Sequence, residues 1–93
     1  MSIDSHVCLV REAGPSMNNA GQTPNPMVLF RLNDVSGAFS DIWFYAPQAT
    51  KNQMLAVALA AINTQSQVHV FVDTPNPPGG EATQCYNMYL LAP

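Results

Sequence analysis

Only one segment of the chain reads as helix. Every other regular segment reads as strand, and that order constrains the fold more than any other feature. Met54 to Ile62 is rich in Ala and Leu, which are strong helix formers. Just before it, Thr50-Lys51-Asn52-Gln53 fits a capping box, in which a Thr hydroxyl accepts from the Gln amide and the Gln side chain reaches back. The segment 51–64 is therefore predicted to be helical. Leu55, Leu59 and Ile62, with Ala58 beside them, mark its core-facing stripe. The opposite face, Asn52, Ala56, Ala60 and Asn63, is small and uncharged. Either the helix is mostly buried, or this face packs against the same helix in another copy.

Three strand-like runs precede the helix and two follow it. Residues 6–11 and 27–32 are short and rich in β-branched and apolar types. Residues 41–45 form a third run, ended by Pro47. Between the second and third, Asn33 to Gly37 reads as a turn, since Asn, Asp and Gly tolerate left-handed backbone. After the helix, residues 67–72 alternate, with Val68, Val70 and Val72 on one side and His69 and Phe71 on the other. Residues 84–91 form the last strand. Residues 12–26 and 73–83 are the two longest connections and the richest in Pro, Gly and Asn. No internal repeat or coiled-coil heptad is present.

The order strand, strand, strand, helix, strand, strand is that of a five-stranded OB-like barrel with its helix between strands 3 and 4. The expected class is α+β, mainly β. An open antiparallel sheet with one packed helix has the same order. In the barrel, the loops after strands 1 and 4 flank the binding face. Here they are the two long connections, and long loops in a small domain are often functional.

Ninety-three residues make one domain, 1–93. A chain this short buries only about 60–65% of its unfolded surface, so a covalent bridge or a second subunit would help it. Charged residues make up 10% of the chain, against about 25% in an average protein. The surface must be solvated by Asn, Gln, Ser and Thr, or be hidden in an oligomer. The basic residues are Arg11, Arg31 and Lys51, and the net charge is −3. Three scattered cations make no stripe that could displace counterions from phosphates, which speaks against nucleic acid. No run of 18 apolar residues exists to cross a membrane as a helix. The first residues have neither the basic start nor the apolar stretch of a signal peptide.

Cys8 and Cys85 lie near opposite ends of the chain. They read either as a disulfide, worth roughly 4–5 kcal/mol in the chain-entropy model, or as two buried thiols. A bridge would favour a secreted or periplasmic location, free thiols a cytoplasmic one.

The layout resembles the receptor-binding B subunits of bacterial AB5 toxins and their small secreted relatives. The matching features are the helix 51–64, Cys8 near the start and Cys85 in the last strand. The resemblance covers roughly residues 6–91 and has no signature motif. It implies an OB barrel, a disulfide from the N-terminal region to a late strand, homo-oligomeric assembly and carbohydrate recognition. No sugar-binding residue carries over by position.

No phosphate cradle, nucleophile elbow or H-E-x-x-H is present, and no cofactor is implied. His6 and Cys8, two apart on a strand, have no marked orienting acid. His69 and Asp73 point the same way but stand about 12–14 Å apart, too far to share a metal ion. Asp4, Glu12, Asp34, Asp41, Asp73 and Glu81 fall mostly at turns or strand ends. Trp43 and Tyr45 share one strand face, and Ile42 and Phe44 share the other. Trp43 is either core or, if Ile42 and Phe44 point inward, an exposed ring suited to interfaces or sugar stacking. Tyr86 and Tyr89 fall on opposite faces of the last strand.

Three readings follow. The first is a non-catalytic, homo-oligomeric binding module for carbohydrate, using Trp43, Tyr45, Asn18, Asn19 and Asn76. The second is a structural or protein-partner module, with Trp43 and the Met residues lining its contact. The third is a small enzyme for a neutral ligand, in which His69 would join carboxylates in a pocket.

Overall fold

The computed structural model describes residues 3–16, 27–76 and 80–92. The elements run β1 (Ile3–Ser16), β2 (Met27–Asp34), β3 (Ile42–Tyr45), α1 (Lys51–Thr64), β4 (Gln67–Asp73) and β5 (Thr83–Leu90). The strands are neighbours in the order β1-β2-β3-β5-β4, and β1 pairs with β4 to close the sheet on itself. All pairings are antiparallel except β3 with β5. That closure and the parallel pair rule out the open antiparallel sheet. The chain is mainly β, with one helix and a closed five-stranded sheet.

β1 is the long strand that makes closure possible. Its residues 3–9 pair with β4 and residues 8–16 with β2, with a register shift at Arg11. The expected loop 12–26 is thus corrected: residues 12–16 continue β1, and residues 17–26 lie outside the described residues. Gly14 and Pro15 are tolerated because, among the described residues, this half of β1 has β2 as its only strand neighbour, and Pro lacks just one amide donor. The expected turn at Asn33 also begins later. Asn33 and Asp34 remain in β2, and Gly37 takes the left-handed turn position at φ 90°.

Strand alternation decides what fills the interior. Val68, Val70 and Val72 point inward from β4, and Phe30, Leu32, Ile42 and Phe44 from β2 and β3, all buried. In β5 the pairing slips between Phe71–Asn87 and Val72–Cys85, which makes Tyr86 the extra, bulged residue. Cys85 and Met88, three apart, therefore both point into the core. Met27, Met54 and Met88 are core residues, so these three of the methionines that the protein-partner reading placed on a contact surface are inside; Met1 and Met17 lie outside the described residues.

α1 spans the predicted residues but is turned about its axis, so that Ala58 is buried as expected while an adjacent stripe replaces the leucines and Ile62. It buries Met54, Ala58 and Ala61, while Leu59 is 49% and Ile62 39% exposed and Leu55 is half-buried. Both stripes have helical spacing, and the closed sheet accepts the smaller one. The capping box is not formed either: Thr50 makes no side-chain cap hydrogen bond.

The C-terminus of α1 ends in a Schellman turn. Gln65 stands at φ 56°, ψ 35°. Its amide donates to Ile62 O, and the Ser66 amide to Ala61 O at 2.9 Å. A left-handed conformation costs a non-glycine residue roughly 1–2 kcal/mol. Gln65→Gly is accordingly expected to stabilise the domain by about 0.5–1 kcal/mol in urea unfolding. An unchanged or lowered midpoint would contradict the cap geometry.

Candidate functional site

Because Ile42 and Phe44 face inward, Trp43 and Tyr45 face outward, but the structure sends them to different places. Trp43 is 37% exposed. The row Glu12–Arg31–Trp43 crosses β1, β2 and β3 in register. Arg31 forms an ion pair with Glu12, and its guanidinium carbon lies 5.8 Å from the centre of the Trp43 ring. Trp43 also edges a shallow depression of about 250 Å³ beside Pro15 and Leu29. One face of its ring is therefore already engaged within the chain.

Tyr45 lines a larger cleft of about 580 Å³. This cleft lies over the join between β3 and β5, which consists of two residue pairs, Phe44–Thr83 and Tyr45–Gln84. One wall is the connection from β3 to α1, with Pro47 and Gln48. The other is the end of the β4–β5 connection, with Glu81 and Ala82, followed by Gln84. Met27, at the start of β2, contributes an apolar edge. Among the described residues, Glu81 is the one charged residue on the lining, and no Lys or Arg lines it. The surface therefore offers an aromatic ring, two side-chain amides and one carboxylate, a set able to give and accept hydrogen bonds around an uncharged ligand.

The expected binding residues are only partly brought together. Tyr45 lies in the cleft. Asn76 braces its wall, with its side-chain amide donating to Glu81 O at 2.7 Å. Trp43 lies in the separate depression. Asn18 and Asn19 lie outside the described residues. Sequence reasoning picked out the β4–β5 connection but missed the β3–α1 connection as the second wall. The available signal was Pro47, which stops β3 two residues after an outward-facing Tyr.

The cysteines correct the expected bridge: Cys8 and Cys85 are free, buried thiols. Cys8 pairs with Val68 and Cys85 with Val72 on the two sides of β4. They are offset by four residues, about 13 Å along the strand, whereas a disulfide needs Cα atoms within about 7 Å. Burial pushes each thiol up to about 12, helped by the Asp34 charge at Cys8 and by Cys8 at Cys85. Groups held protonated this firmly are poor nucleophiles.

His6 does have an orienting acid, contrary to the sequence reading. Its Nδ1–H donates to Asp34 Oδ2 at 2.8 Å. The other carboxylate oxygen accepts from the Ser36 amide at 2.8 Å and the Ser36 hydroxyl at 2.9 Å. Burial alone would raise the Asp34 pKa, but the Ser36 amide and hydroxyl and then His6 outweigh it and hold the carboxyl below its ordinary value. The Phe39 ring packs edge-on against His6, with centroids 5.0 Å apart. This cluster ties β1 to the β2–β3 turn. Its Ser hydroxyl is bonded to the Asp rather than to the His, so it is not arranged as a catalytic triad.

His69 stands among rings, not acids: Phe71 lies 4.9 Å and Tyr89 6.2 Å away, centre to centre. Asp73 instead accepts from the Tyr86 hydroxyl at 2.9 Å, a bond that raises the Tyr86 pKa. Tyr89 is the exposed one of the two late tyrosines. Among the described residues, no three His, Cys, Asp or Glu side chains gather where they could hold a metal ion. Among the same residues, no helix is long and apolar enough to cross a membrane. Comparison with known proteins finds no matching family model, no similar curated protein and no similar solved structure.

Proposed function

We propose that the chain is a small non-catalytic binding domain with an OB-like barrel, and that the cleft beside Tyr45 receives a neutral, hydroxyl-rich ligand of the carbohydrate class. Support for the OB-like reading comes from the strand neighbours β1-β2-β3-β5-β4, the parallel β3–β5 pair and the helix between β3 and β4. That connectivity also keeps the likeness to toxin B subunits as a proposal.

The observation that carries the ligand class is the lining itself. A phenol ring stands beside Gln48, Gln84 and Glu81, with no cation among the described residues of the lining. Sugars present apolar C–H faces to rings and hydroxyls to amides and carboxylates, and this lining matches both. Phosphorylated or sulfated ligands would meet Glu81 with no compensating charge, so they fit poorly.

A glycan array probed with the folded protein tests this reading. Neutral oligosaccharides should bind and anionic ones should not. Calorimetry on any hit should then show at least a tenfold loss with Tyr45→Ala and little change with Trp43→Ala. An array without binders removes the carbohydrate assignment. Equal losses from both substitutions would move the site away from the cleft.

A further inference from the structure

We propose that two copies of this chain pair through the outer face of α1, antiparallel about a two-fold axis close to Leu59. Leu55, Leu59 and Ile62 are spaced four and then three residues apart, the spacing by which one helix offers a seam to another. The closed sheet takes up this stripe only at Leu55, which packs partly against the core. It covers Met54, Ala58 and Ala61 and leaves the larger Leu59 and Ile62 in solvent. A helix that buries Ala58 and Ala61 and exposes Leu59 and Ile62 has a second apolar face to cover.

Charge argues for a second copy as the occupant. A two-fold pair buries the same face of both copies, so any charge on that face would be taken out of water twice. The residues beside the seam are Asn52, Ala56 and Asn63, all exposed and uncharged. Lys51 is the only charged residue in α1. In a parallel pair the two lysines would lie side by side. In an antiparallel pair each would approach the C-terminal end of the other helix, where the macrodipole favours a cation. The same arrangement sets Leu59 against Leu59 and Leu55 of one copy against Ile62 of the other. Ala56 is small enough to let the two backbones approach. Such pairing would supply the cover that the low overall charge of the chain calls for.

Sedimentation equilibrium of the purified full chain tests the proposal. The unmodified protein should be dimeric in the micromolar range. Leu59→Glu should weaken self-association at least about tenfold without changing the far-ultraviolet spectrum, since position 59 is outside the core. In a second variant, Leu59→Cys should form an intermolecular disulfide on mild oxidation. Leu9→Cys, another solvent-facing position, on β1, should not. A monomer at every concentration would overturn self-pairing altogether. A dimer that survives Leu59→Glu and is not cross-linked through Leu59→Cys would keep self-association but overturn this seam.

Discussion

Phe44→Ala is expected to remove about 3–5 kcal/mol of unfolding free energy, most of what a domain of this size possesses. Phe44 is fully buried and is the residue through which β3 joins both its neighbours. It pairs with Phe30 of β2 on one side and with Thr83 of β5 on the other. Its ring also packs on Phe39, with centroids 5.5 Å apart. The β3–β5 join has two residue pairs, so a void beside one of them loosens the closure of the whole sheet and the floor of the cleft. Phe44→Leu keeps much of the volume and should cost roughly half as much. Trp43→Ala, one residue away but on the outer face, should cost about 1 kcal/mol or less. Urea unfolding of the three variants checks this. Similar losses at positions 43 and 44 would contradict the inward–outward assignment of β3.

Asp34→Ala is expected to cost about 2–3 kcal/mol near neutral pH. The Asp34 side chain is 2% exposed and receives hydrogen bonds from His6, the Ser36 amide and the Ser36 hydroxyl. Truncation leaves all three donors without their acceptor and removes the side-chain tie between the β2–β3 turn and His6 of β1, leaving the Val35 amide to Val7 O bond. The same carboxylate predicts an acid dependence. Its pKa is lower in the folded chain than in the unfolded one, where a free Asp titrates near about 3.9. Its contribution is therefore complete above that unfolded value and is lost as the pH falls through the folded value. Unfolding midpoints measured from neutral pH downward should show this acid loss in the native chain and a shallower one in Asp34→Asn. Parallel pH profiles for the two proteins would mean that the carboxylate is not held in its charged form by these bonds.

The His6–Asp34 pair shows why part of the candidate chemistry was hidden. The two residues are 28 positions apart, and Asp34 follows Asn33 in what reads as an ordinary turn. Only the pairing of Cys8 with Asp34 across β1 and β2 brings them together. The cleft is similar. Tyr45 could be singled out from strand alternation, but its facing wall at Glu81 and Gln84 depends on a parallel join between strands separated by the helix and β4. The cysteines show the opposite error: two residues well placed in the sequence are kept apart by a register offset along β4.

By itself the sequence determined the number, type and order of the elements, the limits of α1 and the inward row Val68, Val70 and Val72. These follow from backbone propensity and from side-chain periods of 3.6 and 2, which act over a few neighbouring residues. The tertiary structure alone decided which of two apolar helix stripes is buried, how far β1 extends past Gly14 and Pro15, where β5 bulges and that the sheet closes. In α1 both stripes repeat at helical spacing, so periodicity could not choose between them. The limited space over the closed sheet chose Met54, Ala58 and Ala61, and left Leu59 and Ile62 outside.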